Sequence, residues 1–320
     1  MNILQKYYQA LENREIGHDF FLIPYTDRLY VGKDSSGHAS IVILSNRPNR
    51  TAIRQKTKLL SVECNVSVTY SLAGIKRQDV VHIIRCLADS KKEEEIFVEL
   101  APLFNEPSFN DDQEETILET VSILSSFFAD KSEPSYNELQ GLFAELYTIW
   151  SYADKIDLSW YWQSKDRMKF DFSLTEKDKI EVKSTLKNER KHHFRHEQLL
   201  SDIFRIYVVS YMLRVDDEGL SLYELIDKTK PLLQHDPRKV LIIDRYIKNT
   251  SEERLREVRF NEHLLQYCRK IYMADEIPKF KERTPSGVSN AEYDCILDNA
   301  NDISEEQFLD EVKKIVSVEK

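Results

Sequence analysis

The tightest constraint on this chain lies in residues 169–199, KFDFSLTEKDKIEVKSTLKNERKHHFRHEQL. Residues 169–174 are short and rich in apolar side chains, with Asp171 between two phenylalanines, and 175–179 form a polar turn. Residues 179–185 then alternate. As a strand they put Ile180 and Val182 on one side of a sheet and Glu181 and Lys183 on the other, one pleat apart. A hairpin closed about the turn brings Asp171 near Glu181. Two carboxylates and an ammonium then share one small region. Such a set binds a hard divalent cation and places a positive charge beside it.

Asp171, nine residues and then Glu181-Val182-Lys183 resembles the Asp…(Asp/Glu)-x-Lys signature of the PD-(D/E)XK nuclease superfamily. Upstream, GLFAEL carries Glu145 on a helical pattern, and Glu197-Gln198-Leu199 trails the signature. With these the chain is similar to the bacterial group called PD-(D/E)XK motif proteins. The similarity runs over most of the length, through LRVDDEGLSLYELIDK at 213–228 and the segment 278–288. The ordered set of helix Glu, strand Asp, Glu-x-Lys and Gln is specific; no single piece is.

The resemblance implies an α/β (α+β) fold, a restriction-endonuclease-like core of mixed sheet flanked by helices. It implies metal-dependent phosphodiester hydrolysis of DNA in a prokaryotic defence or restriction-like setting. Asp171 and Glu181 would ligate Mg²⁺, for which Mn²⁺ could substitute, with the backbone carbonyl of Val182 and with Glu145. Lys183 would orient the attacking water or stabilise the transition state, and Gln198 would orient Lys183 or the substrate. Relatives are encoded beside defence proteins that include Z1-type ATPases. The other reading is a catalytically silent or partner-gated interaction subunit of a defence complex. The residues leave RNA open as a substrate, and they do not fix the oligomeric state, although a dimer is compatible with them.

A second Glu-Val-Lys, Glu311 to Lys313, shows how little the tripeptide says alone. There Ile303, Phe308, Val312 and Ile315 recur at helical spacing with no strand-like Asp before them, so that copy reads as the solvated face of a helix.

The 320 residues suffice for one large domain or two modest ones. Four scattered cysteines without a CxxC read as buried free thiols of a cytoplasmic protein. No stretch approaches the roughly 20 apolar residues of a membrane span, and the N-terminus has no signal-peptide pattern. The net charge of −10 opposes a simple DNA-binding story. Basic residues are local: Lys187, Arg190, Lys191 and Arg195, interleaved with His192, His193 and His196. They read either as a nucleic-acid contact beside the metal site or as a charged edge strand that deters sheet pairing. The His192/His196 spacing suits zinc on a helix, but no third ligand accompanies it.

In chain order, 2–12 reads as a helix. Strand-like runs follow at 20–23, 29–32, 41–44, 61–69 and 80–84, with a turn at 34–37. Residues 1–90 therefore form a β-rich unit and 91–135 a helical connection. The nuclease-like core spans 136–275, with a C-terminal strand and helix, 276–320, packed on it. In the helix at 136–152, Glu145 and Glu138 lie on the same flank two turns apart, and only the family pattern chooses Glu145. Trp160, Tyr161 and Trp162 read as sheet cover. Residues 204–213 read as a strand buried on both faces. Helices are expected at 220–233 and 238–247, and strands at 264–274 and 291–297.

Overall fold

The structure is a computed structural model that describes residues 3–12, 20–72, 75–105, 113–128, 133–162, 170–200, 203–280, 285 and 290–318. The chain divides into two compact units, Met1–Asp130 and Lys131–Lys320.

The first unit opens with helix α1 (Ile3–Glu12). Six strands follow: β1 (Phe20–Pro24), β2 (Leu29–Asp34), β3 (Ala39–Leu44), β4 (Ile53–Lys56), β5 (Leu60–Leu72) and β6 (Ile75–Cys86). They pair in the order β1-β2-β3-β6-β5-β4, and β1 also meets β5 in parallel at Phe21↔Ser71. The sheet thus curls until its first strand touches its fifth. Inside the curl pack Leu22, Tyr30, Val42, Tyr70, Val81 and Ile83. The β2–β3 turn forms because Asp34 Oδ1 accepts the N–H groups of Ser36 (3.0 Å) and His38 (2.9 Å), while Gly37 takes φ +86°. At Gly32 the backbone of β1 passes so close that an added Cβ would lie 1.7 Å from the Phe21 carbonyl oxygen. Helices α2 (Lys91–Glu99) and α3 (Gln113–Phe128) complete the unit. The sequence pattern misses β4, whose four residues are all exposed and carry no apolar alternation.

The second unit begins with α4 (Tyr136–Tyr152), whose start is fixed by a capping box: Ser135 N–H donates to Glu138 Oε2 at 2.8 Å and Glu138 N–H to Ser135 Oγ at 3.2 Å. There follow β7 (Phe172–Ser173), β8 (Asp178–Thr185), β9 (Lys191–Arg195), β10 (Arg205–Met212), β11 (Val215–Ser221), α5 (Leu222–Thr229), α6 (Pro237–Asn249), α7 (Glu252–Glu257), β12 (Arg259–Phe260), α8 (Glu262–Tyr267), β13 (Lys270–Met273), β14 (Glu292–Ile296), β15 (Asp302–Ile303) and α9 (Glu305–Val318). The main sheet runs β15-β13-β10-β8-β7, with β8 and β10 parallel and the other pairs antiparallel. This is the expected mixed α/β architecture.

Central β10 is buried on both faces. On one, Tyr211 meets α4 edge-to-face through Tyr147 (ring centroids 5.7 Å apart) and shares a 3.0 Å hydrogen bond with Thr148. On the other, Ile206 and Val208 join Phe194, Leu199, Cys295 and Leu297. That second cover is a two-stranded arm, β9 with β14, in place of a long helix.

Two expectations need correction and one is made specific. The segment 264–274 is half helix: Asn261 caps α8 by accepting the Leu264 N–H at 2.9 Å, and only Lys270–Met273 is strand. The basic run after β8 is strand β9, and Gln198 ends a three-residue 3₁₀ helix. Glu311 is not simply solvated, because Tyr207 Oη donates to its Oε2 at 2.7 Å. Residues 163–169 and most of 281–289 lie outside the described residues, so Lys169 and most of the 278–288 segment do too. All four cysteines are free. Among the described residues no helix is long and apolar enough to cross a membrane.

Candidate active site

Residue 171 stands just before β7, and the β7–β8 hairpin, paired at Phe172↔Ile180, carries it back alongside β8. There Asp171 Oδ2 accepts the Val182 N–H at 2.6 Å. Parallel pairing sets Glu181 opposite Val208 and Lys183 opposite Ser210, so both side chains emerge on the face covered by the β9–β14 arm. Glu181 is 2% exposed and Lys183 20%; Lys183 Nζ lies 2.7 Å from Glu181 Oε1. Gln198 joins both, donating through Nε2 to Glu181 Oε1 (2.6 Å) and accepting from Lys183 Nζ (3.4 Å). Its Oε1 also accepts the Arg195 N–H at 3.0 Å, which fixes the amide to the start of the 3₁₀ turn. The Phe194 ring lies 5.2 Å from Lys183 Nζ and forms one wall of the site.

Glu145 reaches the cluster from α4, and the Trp162 indole N–H donates to its Oε2 at 2.8 Å. Trp162 is held by a bridge to Phe172, beside Asp171. The structure separates the two glutamates that periodicity leaves equivalent: Glu138 caps α4, and Glu145 faces the carboxylates. Trp162 is the residue that sequence reasoning misses in this site. An aromatic run signals cover, and nothing in the sequence ties one indole to one carboxylate.

Electrostatically the site is short of positive charge. Burial, then Asp171, pushes Glu181 up to about 8. Burial also raises Asp171, against the pull of Lys183 and the Val182 N–H. Burial and the Asp171 charge hold Glu145 well above the ordinary carboxylate range. On Lys183 burial opposes the charge, but Glu181 and Asp171 outweigh it and its pKa rises. Glu181 Oε2 is buried with no hydrogen-bond partner. An orphaned buried oxygen among three carboxylates fits a hard divalent cation, which would satisfy the oxygen and relieve the charge. Among the described residues, no three His, Cys, Asp or Glu side chains already close into a ready-made ion cage.

The basic cluster is not an open cationic face. Arg190 is buried and donates to the Ser210 carbonyl (2.9 Å), Ser210 Oγ (2.8 Å) and the Cys268 carbonyl (2.6 Å), so it is a structural residue with no access to a phosphate. Lys191 pairs with Asp294 (3.0 Å) and Arg195 with Glu292 (3.3 Å), and His193 sits between those acids. Lys187 lies exposed on the connection before β9. His192 is buried against Ser210 Oγ (2.6 Å), and burial lowers its pKa to about 3. His196 contacts the Tyr293 hydroxyl at 3.1 Å. Their partners, and their place on two different elements, with His192 on β9 and His196 opening the 3₁₀ turn after it, remove the zinc pairing.

A helix carboxylate, a hairpin Asp and a strand Glu-x-Lys gathered on a mixed sheet define the PD-(D/E)XK nuclease class. The sequence pattern of the family described as "Putative PD-(D/E)XK family member" (DUF4420) spans residues 4–298, and the chain belongs to that family. No curated protein and no solved structure matches it.

Proposed function

We propose that this protein is a metal-dependent DNA endonuclease and that Asp171, Glu181, Lys183, Gln198 and Glu145 carry its chemistry. The observation that supports this most is the 2.7 Å Lys183–Glu181 contact beside the orphaned Glu181 Oε2, with Asp171 pinned to the Val182 N–H. Asp171, Glu181 and Glu145 would hold Mg²⁺ or Mn²⁺, with the Val182 carbonyl as a further oxygen ligand. When bound, the ion supplies Lewis-acid neutralisation of the phosphoryl charge and makes water more acidic. Lys183 would donate from Nζ to the attacking water or to a non-bridging phosphoryl oxygen. Gln198 keeps Lys183 and Glu181 in register through its two amide ends. The prokaryotic defence setting, the cytoplasmic location and an ATPase partner of the Z1 type rest on the family resemblance.

The test is nicking of supercoiled plasmid with Mg²⁺ or Mn²⁺. Wild type should cut, and Lys183→Ala should lose on the order of 10²-fold or more in rate with an unchanged circular dichroism spectrum. Undiminished cutting by the variant would sink the assignment. A partner-gated subunit is the second reading, and one observation favours it: the cations of β9 are engaged by Asp294 and Glu292. Cleavage that appears only when neighbouring gene products are added would select it.

A further inference from the structure

With β9 neutralised, a nucleic-acid substrate needs another cationic surface, and the first unit has one. Residues 46–58 read NRPNRTAIRQKTK: Arg47, Arg50, Arg54, Lys56 and Lys58 with no acidic residue, in a chain of net charge −10. Every residue from 47 to 56 is exposed. Arg54 and Lys56 lie on β4, which ends its sheet and, among the described residues, pairs on one side alone, with β5. Its outer edge therefore presents backbone N–H groups to solvent next to the cations.

The surrounding acids are already balanced. Glu63 lies between Arg54 (3.1 Å) and Arg85 (2.9 Å), Arg85 also holds Asp34 at 3.1 Å, and Arg50 pairs with Glu114 at 3.1 Å. Arg47, Lys56 and Lys58 remain, exposed and paired with no described carboxylate. A groove of about 350 Å³ runs beside β4, lined in part by Arg54, Gln55, Lys56, Ser61 and Arg85, with Glu63 held between its two arginines. Guanidinium, ammonium, amide and hydroxyl donors around a concave strip, with main-chain N–H groups along its edge, are the set that holds a phosphodiester backbone. Contacts to phosphates carry affinity without sequence preference.

We infer that this surface binds the backbone of duplex DNA, and that the β-rich unit serves as the substrate-holding module of the protein. The choice of DNA rests on the nuclease reading above; the surface itself does not. Charged edge strands also deter strand pairing, and that role alone predicts no DNA binding.

The experiment is fluorescence anisotropy with a labelled random-sequence duplex over a salt series, on the full chain in EDTA so that nothing is cut. Wild type should bind. Combined Arg47→Gln, Lys56→Gln and Lys58→Gln, all at exposed positions, should weaken binding on the order of tenfold and flatten the slope of log K against log salt by about 2 to 3. Lys191→Gln with Arg195→Gln should leave both unchanged. Three results would overturn the inference: no duplex binding by wild type, full binding by the triple variant, or binding of a structured RNA in place of the duplex. A protein that binds through these residues yet never nicks plasmid, with or without the neighbouring gene products, would keep the inference and remove the nuclease reading.

Discussion

The Trp162 indole N–H lies 2.8 Å from Glu145 Oε2, tying a connecting segment to the one helix carboxylate that faces the strand acids. Trp162 is fully buried, and a backbone bridge to Phe172 anchors its main chain. It therefore sets where Glu145 points. Trp162→Phe keeps the bulk and deletes the donor. Stability should fall by about 1 kcal/mol, while the half-saturating Mg²⁺ for cleavage rises about 10-fold. Calorimetric titration with Mn²⁺ checks the same shift without turnover, and an unchanged Mn²⁺ affinity would remove the positioning role.

The site also predicts how the metal-free protein responds to pH. Glu181 has its pKa raised from 4.5 to about 8 by burial and Asp171. For a raised carboxyl, the folded state holds the proton that the unfolded state has lost. This contribution to stability is full below about 4.5 and is lost progressively as pH rises to about 8. In EDTA the melting temperature should therefore fall across that interval. Mg²⁺ should restore it more at pH 8 than at pH 6, because the ion displaces the proton. Glu181→Gln should flatten the profile; a steep fall that persists in this variant would assign it elsewhere.

Arg190 offers a test of structure against binding. Its guanidinium satisfies two backbone carbonyls and the Ser210 hydroxyl inside the second unit. Arg190→Met strands those acceptors and should cost on the order of 3 kcal/mol in urea unfolding. At temperatures where the variant stays folded, its duplex affinity should equal that of wild type. Normal stability with weakened binding would return this arginine to the DNA surface.

Gly32→Ala should be worse tolerated than its chemistry suggests. The new methyl group would sit 1.7 Å from the Phe21 carbonyl oxygen, backbone that cannot step aside without parting β1 from β2. A loss of about 1–3 kcal/mol or more is expected, read as early exchange of the β1 and β2 amides. Gly37→Ala is open to space but sits at φ +86°, so it isolates backbone strain from collision.

Much of the second unit is legible in its letters because its signals are local. Alternation places Glu181 and Lys183 on one face, and continuous apolarity marks β10. What escapes depends on pairing partners distant in sequence. Arg190, Lys191 and Arg195 look alike as letters. Only the approach of β14, about 100 residues on, neutralises two of them, and only Ser210 and Cys268 bury the third. Glu138 and Glu145 are likewise equivalent until Ser135 claims one and Trp162 the other. In the first unit β4 carries no apolar pattern, because both its faces are wet.

The single parallel meeting of Phe21 with Ser71 has a consequence for how the chain is made. On the ribosome β1 emerges early, yet its second neighbour follows about fifty residues later, and β6 must arrive before the curl can close. Until then the β1 edge and the apolar side chains of Leu22, Tyr30 and Val42 stay uncovered. The nascent first unit should be the chaperone-dependent part of the molecule, and translation pauses before residue 86 should lower soluble yield more than pauses placed later.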